Sequence, residues 1–515
     1  MDHDEALADY ERRKARALAM GSPKRLAERR AAGILNARER LARLVDPGTF
    51  TELGLFAHSS RMSDAGKTPA DGIIEGFGEI DGRIAAVSAS DFTTMGASSA
   101  MVAGKKQAHL ARLAVENGTP IVFLGECSGA RMPDTMGAAG PDGHGGIGGI
   151  ATKGHYMRRR KVPWIAAVLG QSYGGSTWNA AMSDFVVMRK GAVMAVSSVR
   201  VTEVAIAEAI DEQELGGWRM QTAVTGQVDM AVDNDEEALA ALKAYLGYLP
   251  GHAGELPPTV AVPAGSDDAA ASILDIVPAE RVKTYDIRRA IQAIVDRDSY
   301  FPLKERFGKS IVTALCRLGG QSVGMIATNP IAKGGALDPD ACDKAASFIT
   351  LCDSFNIPLV LLTDTPGFLI GVEGERRRMP GKIMNFLQAL ELATVPKLGI
   401  ILRKSYGQAY INMGGGRVDV LAAWPGAEIG FMDPAVGVNV VHGVRQADDP
   451  ARFAELVSEL ARGTSAYDLA GPYLAHAVID PRESRDWLIR MLKILARRPN
   501  GGIGEHLLAN WPTTL

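Results

Sequence analysis

Cysteine is scarce in this 515-residue chain: only Cys127, Cys316, Cys342 and Cys352, none in a CxxC pair. That excludes a disulfide scaffold and a zinc ribbon and points to a reducing compartment. No apolar run is long enough to cross a bilayer. The charged stretch from Met1 to Lys14 lacks the apolar centre of a secretory signal. Net charge is only −3, too balanced for a general nucleic-acid or membrane-surface binder. Neither a serine-nucleophile elbow nor a Walker loop is read in the chain, so ester hydrolysis and ATP cleavage are not expected. The expectation is a cytosolic protein with no metal site, no nucleic-acid partner and no membrane partner. Its length allows two to four domains with a large core.

What the chain does have is glycine, 57 residues of it, and a repeated pattern. Gly82, Gly96, Lys106, Pro120, Leu124 and Gly129 recur 238 residues later as Gly320, Gly334, Lys344, Pro358, Leu362 and Gly367. Pro163 and Gly174 match Pro396 and Gly407 at an offset of 233, and Asp184, Gly191 and Ala192 match Asp419, Gly426 and Ala427 at 235. Glycine and proline coincide where backbone geometry is demanding, which marks an internal duplication. The pattern predicts an α/β protein of two tandem domains, 1–255 and 256–515, joined through a Pro/Gly-rich linker at 251–266. In the first half, strands are predicted at 73–78, 84–90, 121–124 and 165–169, with a hairpin at Asp81-Gly82 and a helix over 104–117. A helical, basic segment is predicted over 5–44, with a capping box starting a new helix at Asn36 and Glu39, and it reads as a solvated face. The tail from 459 reads as helix, with Trp487, Leu488, Met491 and Leu492 as its packing stripe. Gly143-His144-Gly145-Gly146-Ile147-Gly148 resembles a dinucleotide fingerprint but follows no strand, and reads as a loop.

The duplicated centre is a turn after an apolar strand: Ser172-Tyr173-Gly174-Gly175 in one half, Ser405-Tyr406-Gly407-Gln408-Ala409 in the other. Such a turn presents backbone N–H groups suited to a developing oxyanion. The plainer alternative is a tight turn that needs glycine for sterics alone. Ser128-Gly129-Ala130 and Gly367-Phe368 stand at equivalent strand ends and would wall the two sites. Arg131 reads equally as a substrate contact or a structural ion pair. Glu126 and Asp364 occupy equivalent places, and either acid–base work or local pairing is open to them. Two oxyanion holes without a protein base require the base to arrive with a substrate or cofactor.

Ala37-Arg38-Glu39-Arg40-Leu41, Asp46-Pro47-Gly48-Thr49-Phe50, Asp91-Phe92-Thr93, Ser128-Gly129-Ala130-Arg131, Pro366-Gly367-Phe368, Ala423-Trp424-Pro425 and Asp480-Pro481-Arg482-Glu483 jointly resemble one family. It is that of the carboxyltransferase (beta) subunits of biotin-dependent acyl-CoA carboxylases, propionyl-CoA carboxylase in particular. The resemblance implies two crotonase-like domains and transfer of carboxyl from N1-carboxybiotin to the α-carbon of an acyl-CoA. It implies that Gly174 and Gly175 stabilise a thioester enolate, and that Gly407, Gln408 and Ala409 hold the biotin ureido oxygen. It places acyl-CoA on the N-terminal half and biotin on the C-terminal half of a neighbouring subunit. Tyr173, Trp178, Tyr410 and Ile411 flank these turns as substrate-binding positions. The chain departs from the family at Gln408, where a glycine is usual, at Trp178 and at Glu375-Arg376-Arg377-Arg378, and Ile411 stands where the family varies between Asp and an aliphatic residue, a position associated with acyl-chain choice. There is no Met-Lys-Met biotinylation site. The resemblance therefore implies a homo-hexameric core served by a biotin carboxylase/biotin carboxyl carrier (alpha) subunit. A CoA-ester decarboxylase subunit and a non-catalytic assembly partner are the rival readings.

Overall fold

Each half of the chain folds its apolar runs into its own eight-stranded sheet, and the two sheets have the same strand order. A computed structural model describes residues 2–136 and 160–511, and the chain divides into two compact units, Met1–Gly254 and Glu255–Leu515. The first unit carries β1 (Thr51–Leu53), β2 (Ile73–Ile80), β3 (Arg83–Ser90), β4 (Ile121–Cys127), β5 (Trp164–Tyr173), β6 (Phe185–Arg189), β7 (Val193–Ala195) and β8 (Met230–Val232). The second carries β9 (Phe301–Leu303), β10 (Ile311–Leu318), β11 (Gln321–Thr328), β12 (Leu359–Thr365), β13 (Lys397–Tyr406), β14 (Val420–Ala423), β15 (Glu428–Gly430) and β16 (Ala477–Val478). The orders are β1-β2-β3-β4-β5-β6-β8 and β9-β10-β11-β12-β13-β14-β16, with β7 added to β5 and β15 to β13. In both, the first three strands pair antiparallel and the rest parallel.

The duplication read from glycine and proline is thus a duplication of strands, with β2–β7 matching β10–β15 at the same offsets. The hairpin turns explain why glycine recurs. Asp81 and Gly82 take φ of 50° and 74°, and Gly319 and Gly320 take 62° and 81°. Two successive positive φ values make the turn whose twist suits a right-twisted hairpin. Parallel neighbours need a crossover, supplied by the helices Met101–Glu116 and Pro339–Ser354, which join β3 to β4 and β11 to β12. Lys106 and Lys344 anchor these helices. Lys106 Nζ donates to the carbonyls of Ala70 and Ile73, and Lys344 Nζ to those of Phe307 and Ile311.

The basic N-terminal segment differs from expectation. It is three helices, His3–Leu18, Pro23–Ala31 and Ala37–Leu44. Besides the expected break before Asn36, a second falls at Gly21, where a Cβ would lie 2.3 Å from the Thr93 backbone, so the chain must cross the loop after β3 there. The capping box does form: Glu39 N–H donates to Asn36 Oδ1 (3.0 Å) and Asn36 N–H to Glu39 Oε2 (2.8 Å). The first two helices are largely exposed, as read, but the third is not a solvated face, because Ala37, Arg40, Leu41 and Leu44 are all buried. The tail is also broken, into the helices Pro450–Leu460, Ala466–Ala470 and Ser484–Leu495 with β16 between the last two. The last helix buries Trp487, Leu488 and Leu492 in one cluster with Ile287 and Ile291 of the helix Ile287–Ile294 and with Val323 and Met325 of β11. The loop read at Gly143-His144-Gly145-Gly146-Ile147-Gly148 lies outside the described residues.

Candidate active site

β5 and β13 each run into a turn that requires glycine. Gly174 has φ 61° and ψ −118°, and Gly407 has φ 61° and ψ −147°, a region that side chains with a Cβ rarely enter. Each turn starts a helix, Gly175–Met182 and Gln408–Asn412. The first N–H groups of a helix have no acceptor within it. Among the described residues nothing else engages the N–H of Gly175, Ser176, Gln408 or Ala409. Gly407 is different, since its N–H donates to Gly430 O of β15 at 2.9 Å. It shapes the second turn without offering a donor, which corrects the expectation that Gly407 itself holds a ligand oxygen. Gln408 has no positive φ, so its N–H survives the replacement of glycine, and its side chain donates to Asn412 Oδ1 (3.1 Å).

The walls lie where the offsets put them. Ser99 N–H donates to Gly129 O (2.9 Å) and Arg131 N–H to Ser99 O (2.9 Å), while Leu337 N–H donates to Gly367 O (3.0 Å) and Leu369 N–H to Leu337 O (2.8 Å). A Cβ on Gly129 would lie 4.0 Å from Tyr173 Cβ, and one on Gly367 3.9 Å from Tyr406 O, so each wall stands beside its glycine turn. Ser128 and Ala130 are exposed there, and Phe368 half-exposed. Trp178 and Ile411, at equivalent helix positions, are half-exposed as well. Tyr410 packs its ring so closely on the next turn that a Cβ at Gly415 would lie 2.4 Å from it. The hydroxyl of Tyr173 donates to Glu212 Oε1 (2.7 Å), and that of its counterpart Tyr406 to Glu428 Oε2 (2.8 Å). Burial and that carboxylate together raise the Tyr173 phenol well above its ordinary value. Tyr173 therefore links β5 to Glu212, with its hydroxyl proton committed to that carboxylate. For Arg131, of the two readings left open, the geometry favours the structural ion pair. Its guanidinium is buried against Asp71 (2.6 Å), whose other oxygen accepts from Ala103 N–H. It ties the wall to the start of the helix Met101–Glu116 and does not face a ligand.

Glu126 and Asp364 sit at duplicated β-bulges. The β4–β5 register shifts between Gly125 and Cys127, and the β12–β13 register between Thr363 and Thr365. The bulge redirects the intervening carboxylate, and each is neutralised by different means. Glu126 meets Arg29 (2.7 Å) and Arg40 (2.5 Å), and Arg40 also meets Asp235 (2.9 Å). Burial opposes its ionisation, but the charges of Arg40 and Arg29 prevail and hold its carboxyl below the usual range. Asp364 meets Arg403 (2.8 Å). Arg403 stands 233 residues after Gly170, and a Cβ at Gly170 would lie 2.1 Å from Glu126 Oε1. The first unit thus leaves room for its carboxylate where the second supplies a cation. Glu126 is an acceptor saturated by arginine and poorly placed to take a proton, while Asp364 is held through Oδ2 by Arg403 and through Oδ1 by the Lys404 N–H (3.2 Å). Gly170-Gln171-Ser172-Tyr173-Gly174 does fit the letters G-x-S-x-G, a match passed over in the sequence. Ser172 lies inside β5, fully buried, with its hydroxyl on Ser176 Oγ (2.8 Å), so it is no exposed elbow nucleophile.

Comparison with known proteins agrees with this geometry. A family model described as the carboxyl transferase domain matches residues 28–504. The chain is 35% identical to the carboxyltransferase subunit of propionyl-CoA carboxylase from Haloferax mediterranei, over 96% of this chain and 97% of that one. It is 33% identical to the alpha subunit of methylmalonyl-CoA decarboxylase from Veillonella parvula, over 96% of each. The structure of transcarboxylase 12S, a hexamer with methylmalonyl-coenzyme A and methylmalonic acid bound, matches with a TM-score of 0.87 at 32% identity and covers 96% of both chains. Two crotonase-like domains, each ending its central strand in a glycine turn, define the class. The chain belongs to the carboxyl transferase domain family, and it is an acyl-CoA carboxyltransferase.

Proposed function

We propose that this chain moves a carboxyl group from N1-carboxybiotin to the α-carbon of an acyl-CoA. The observation that carries the reading is the pair of glycine turns with unspent N–H groups beside two carboxylates already locked to arginine. The first unit takes the acyl-CoA, with the N–H groups of Gly174 and Gly175, and that of Ser176 beside them, donating to the thioester oxygen as it gains charge. Removing one such donor typically costs about 10²–10³ in rate. The second unit suits the biotin ureido oxygen, which is an acceptor and needs donors. Gln408 and Ala409 supply two, and the missing side chains at Gly407 and Gly367 keep the approach open. When bound, biotin supplies the carboxyl and a base for the α-proton, which the described residues of the two turns do not offer. A biotin carboxylase/biotin carboxyl carrier subunit delivers it, and the carboxyltransferase subunits form a hexameric core, as reported for transcarboxylase 12S. The decarboxylase relative supports the reverse direction as a second reading.

The test mixes the protein with a biotinylated carboxylase partner, ATP, labelled bicarbonate and a panel of acyl-CoAs. Label fixed in a CoA ester is the expected result. Gly175→Pro is the matched variant, because proline is tolerated at the first helical position and removes the N–H, though it adds its ring there. A folded Gly175→Pro protein with undiminished transfer contradicts the reading. If no ester is labelled but dicarboxylic CoA esters lose carboxyl to biotin, the direction is reversed.

A further inference from the structure

A cavity of about 30 Å³ lies in the first unit against Gly175, between β3–β5 and the helices Met101–Glu116 and Gly175–Met182. That is roughly two water-sized groups. The duplication shows how it arises. Ser88, Ser99, Gly104, Gly125 and Ala180 line it. At the same offsets the second unit carries Ile326, Leu337, Cys342, Thr363 and Met413, all of them buried. One scaffold is filled in the C-terminal copy and hollow in the N-terminal copy. Gly104 is helix-interior, a position where glycine costs up to about 1 kcal/mol relative to alanine, so the hollow is kept against local stability.

The polar groups of the cavity are as asymmetric as its size. Asn179 lines it at only 6% exposure, and its amide has no hydrogen bond among the described residues. Its duplicate Asn412 is spent: Nδ2 donates to Ile383 O (2.9 Å) and Oδ1 accepts from Gln408 (3.1 Å). Asn179 stands one helical turn after Gly175, and helical side chains lean toward the N-terminus, which points its amide to the turn. Gln107 lines the same space, with a long contact to Ser88 Oγ (3.4 Å), and is alanine (Ala345) in the second unit. An amide that faces the open space of the cavity and makes no bond to the protein is available to a ligand or water that enters it.

We infer that this cavity seats the end of the acyl chain, and that Asn179 with Gln107 selects a short chain bearing a hydroxyl. The inference rests on the reading of the first unit as the acyl-CoA side. A cavity this small admits about two heavy atoms beyond the α-carbon and excludes long chains. A site built to hydrogen-bond a hydroxyl discriminates strongly against the analogue lacking it.

The test compares 3-hydroxypropionyl-CoA with butyryl-CoA, which differ only by hydroxyl for methyl at the chain end. In the carboxyl-transfer assay the hydroxyl ester should lead in kcat/KM by about tenfold or more. Asn179→Leu should bring the ratio to one or below. Both substrates are measured on one preparation, so loss of folded protein cancels, and Gln107→Leu on the other helix repeats the test if Asn179→Leu does not fold. Equal rates on the unaltered protein, or a preference that survives both substitutions, overturn the inference. Calorimetric binding of the two thioesters without the biotin partner separates the two claims. A binding preference without transfer refutes carboxyl transfer and leaves the cavity assignment standing, while transfer without preference does the reverse.

Discussion

Replacing Glu126 by glutamine distinguishes a carboxylate that holds the fold from one that moves protons. Its oxygens meet Arg29 and Arg40 in a site closed to solvent, and Arg40 keeps only Asp235 once the charge is gone. Glutamine preserves the shape but leaves two guanidinium groups over one carboxylate. Removing one partner of a buried pair costs about 3–5 kcal/mol, so the first unit should lose roughly 4 kcal/mol of stability. The sign of the pH dependence follows from the direction of the shift. The folded carboxyl titrates below its ordinary value of 4.5, so its contribution is complete above that value and is lost as pH falls through the lower folded one. Glu126→Gln should therefore lower the urea midpoint at pH 7 and flatten its fall in acid. The turnover number of the protein that remains folded, measured well below the transition, should stay within a few-fold. An unchanged midpoint with turnover reduced a hundredfold or more would refute the structural assignment and make Glu126 an acid–base group.

Three further outcomes are expected. Gln408→Pro removes one donor at a first helical position, where proline fits; carboxyl transfer should fall by about 10²–10³ with the melting temperature nearly unchanged, and full activity would exclude that N–H from the second site. Glu75, buried on β2 with Oε2 unpaired, has its carboxyl pushed up to about 7 by burial, which outweighs the attraction of Lys106. The folded chain then holds a proton that the unfolded chain releases near 4.5, so stability should fall by about 3 kcal/mol as pH rises from there to 7, and Glu75→Gln should abolish that slope in urea titrations. Burial pushes the thiols of Cys316, Cys342 and Cys352 well above their ordinary range; tryptic mapping after brief native maleimide treatment should find none of them modified until denaturant is added.

The glycine turns were legible because a positive φ is a local demand that a side chain violates wherever the rest of the chain goes. Gly82, Gly129, Gly174 and their counterparts therefore marked the duplication, the strand ends and both candidate oxyanion holes. Asn36 and Glu39 were legible for the same reason, since a capping box closes within four residues. Tertiary structure alone decided the charges. Glu126 is met by Arg29 and Arg40, about ninety residues earlier in the chain, on helices whose composition reads as solvated. Gly407 kept its place in the second turn yet lost its donor, because β15 returns to accept it. The hollow beside Gly175 was decided the same way. Ser88, Gly104, Gly125 and Ala180 are unremarkable small residues in the sequence, and they make a cavity only where strand and helix bring them to face one another. Backbone requirements are written at the residue that bears them, whereas charge pairing and empty volume belong to residues that only the fold makes neighbours.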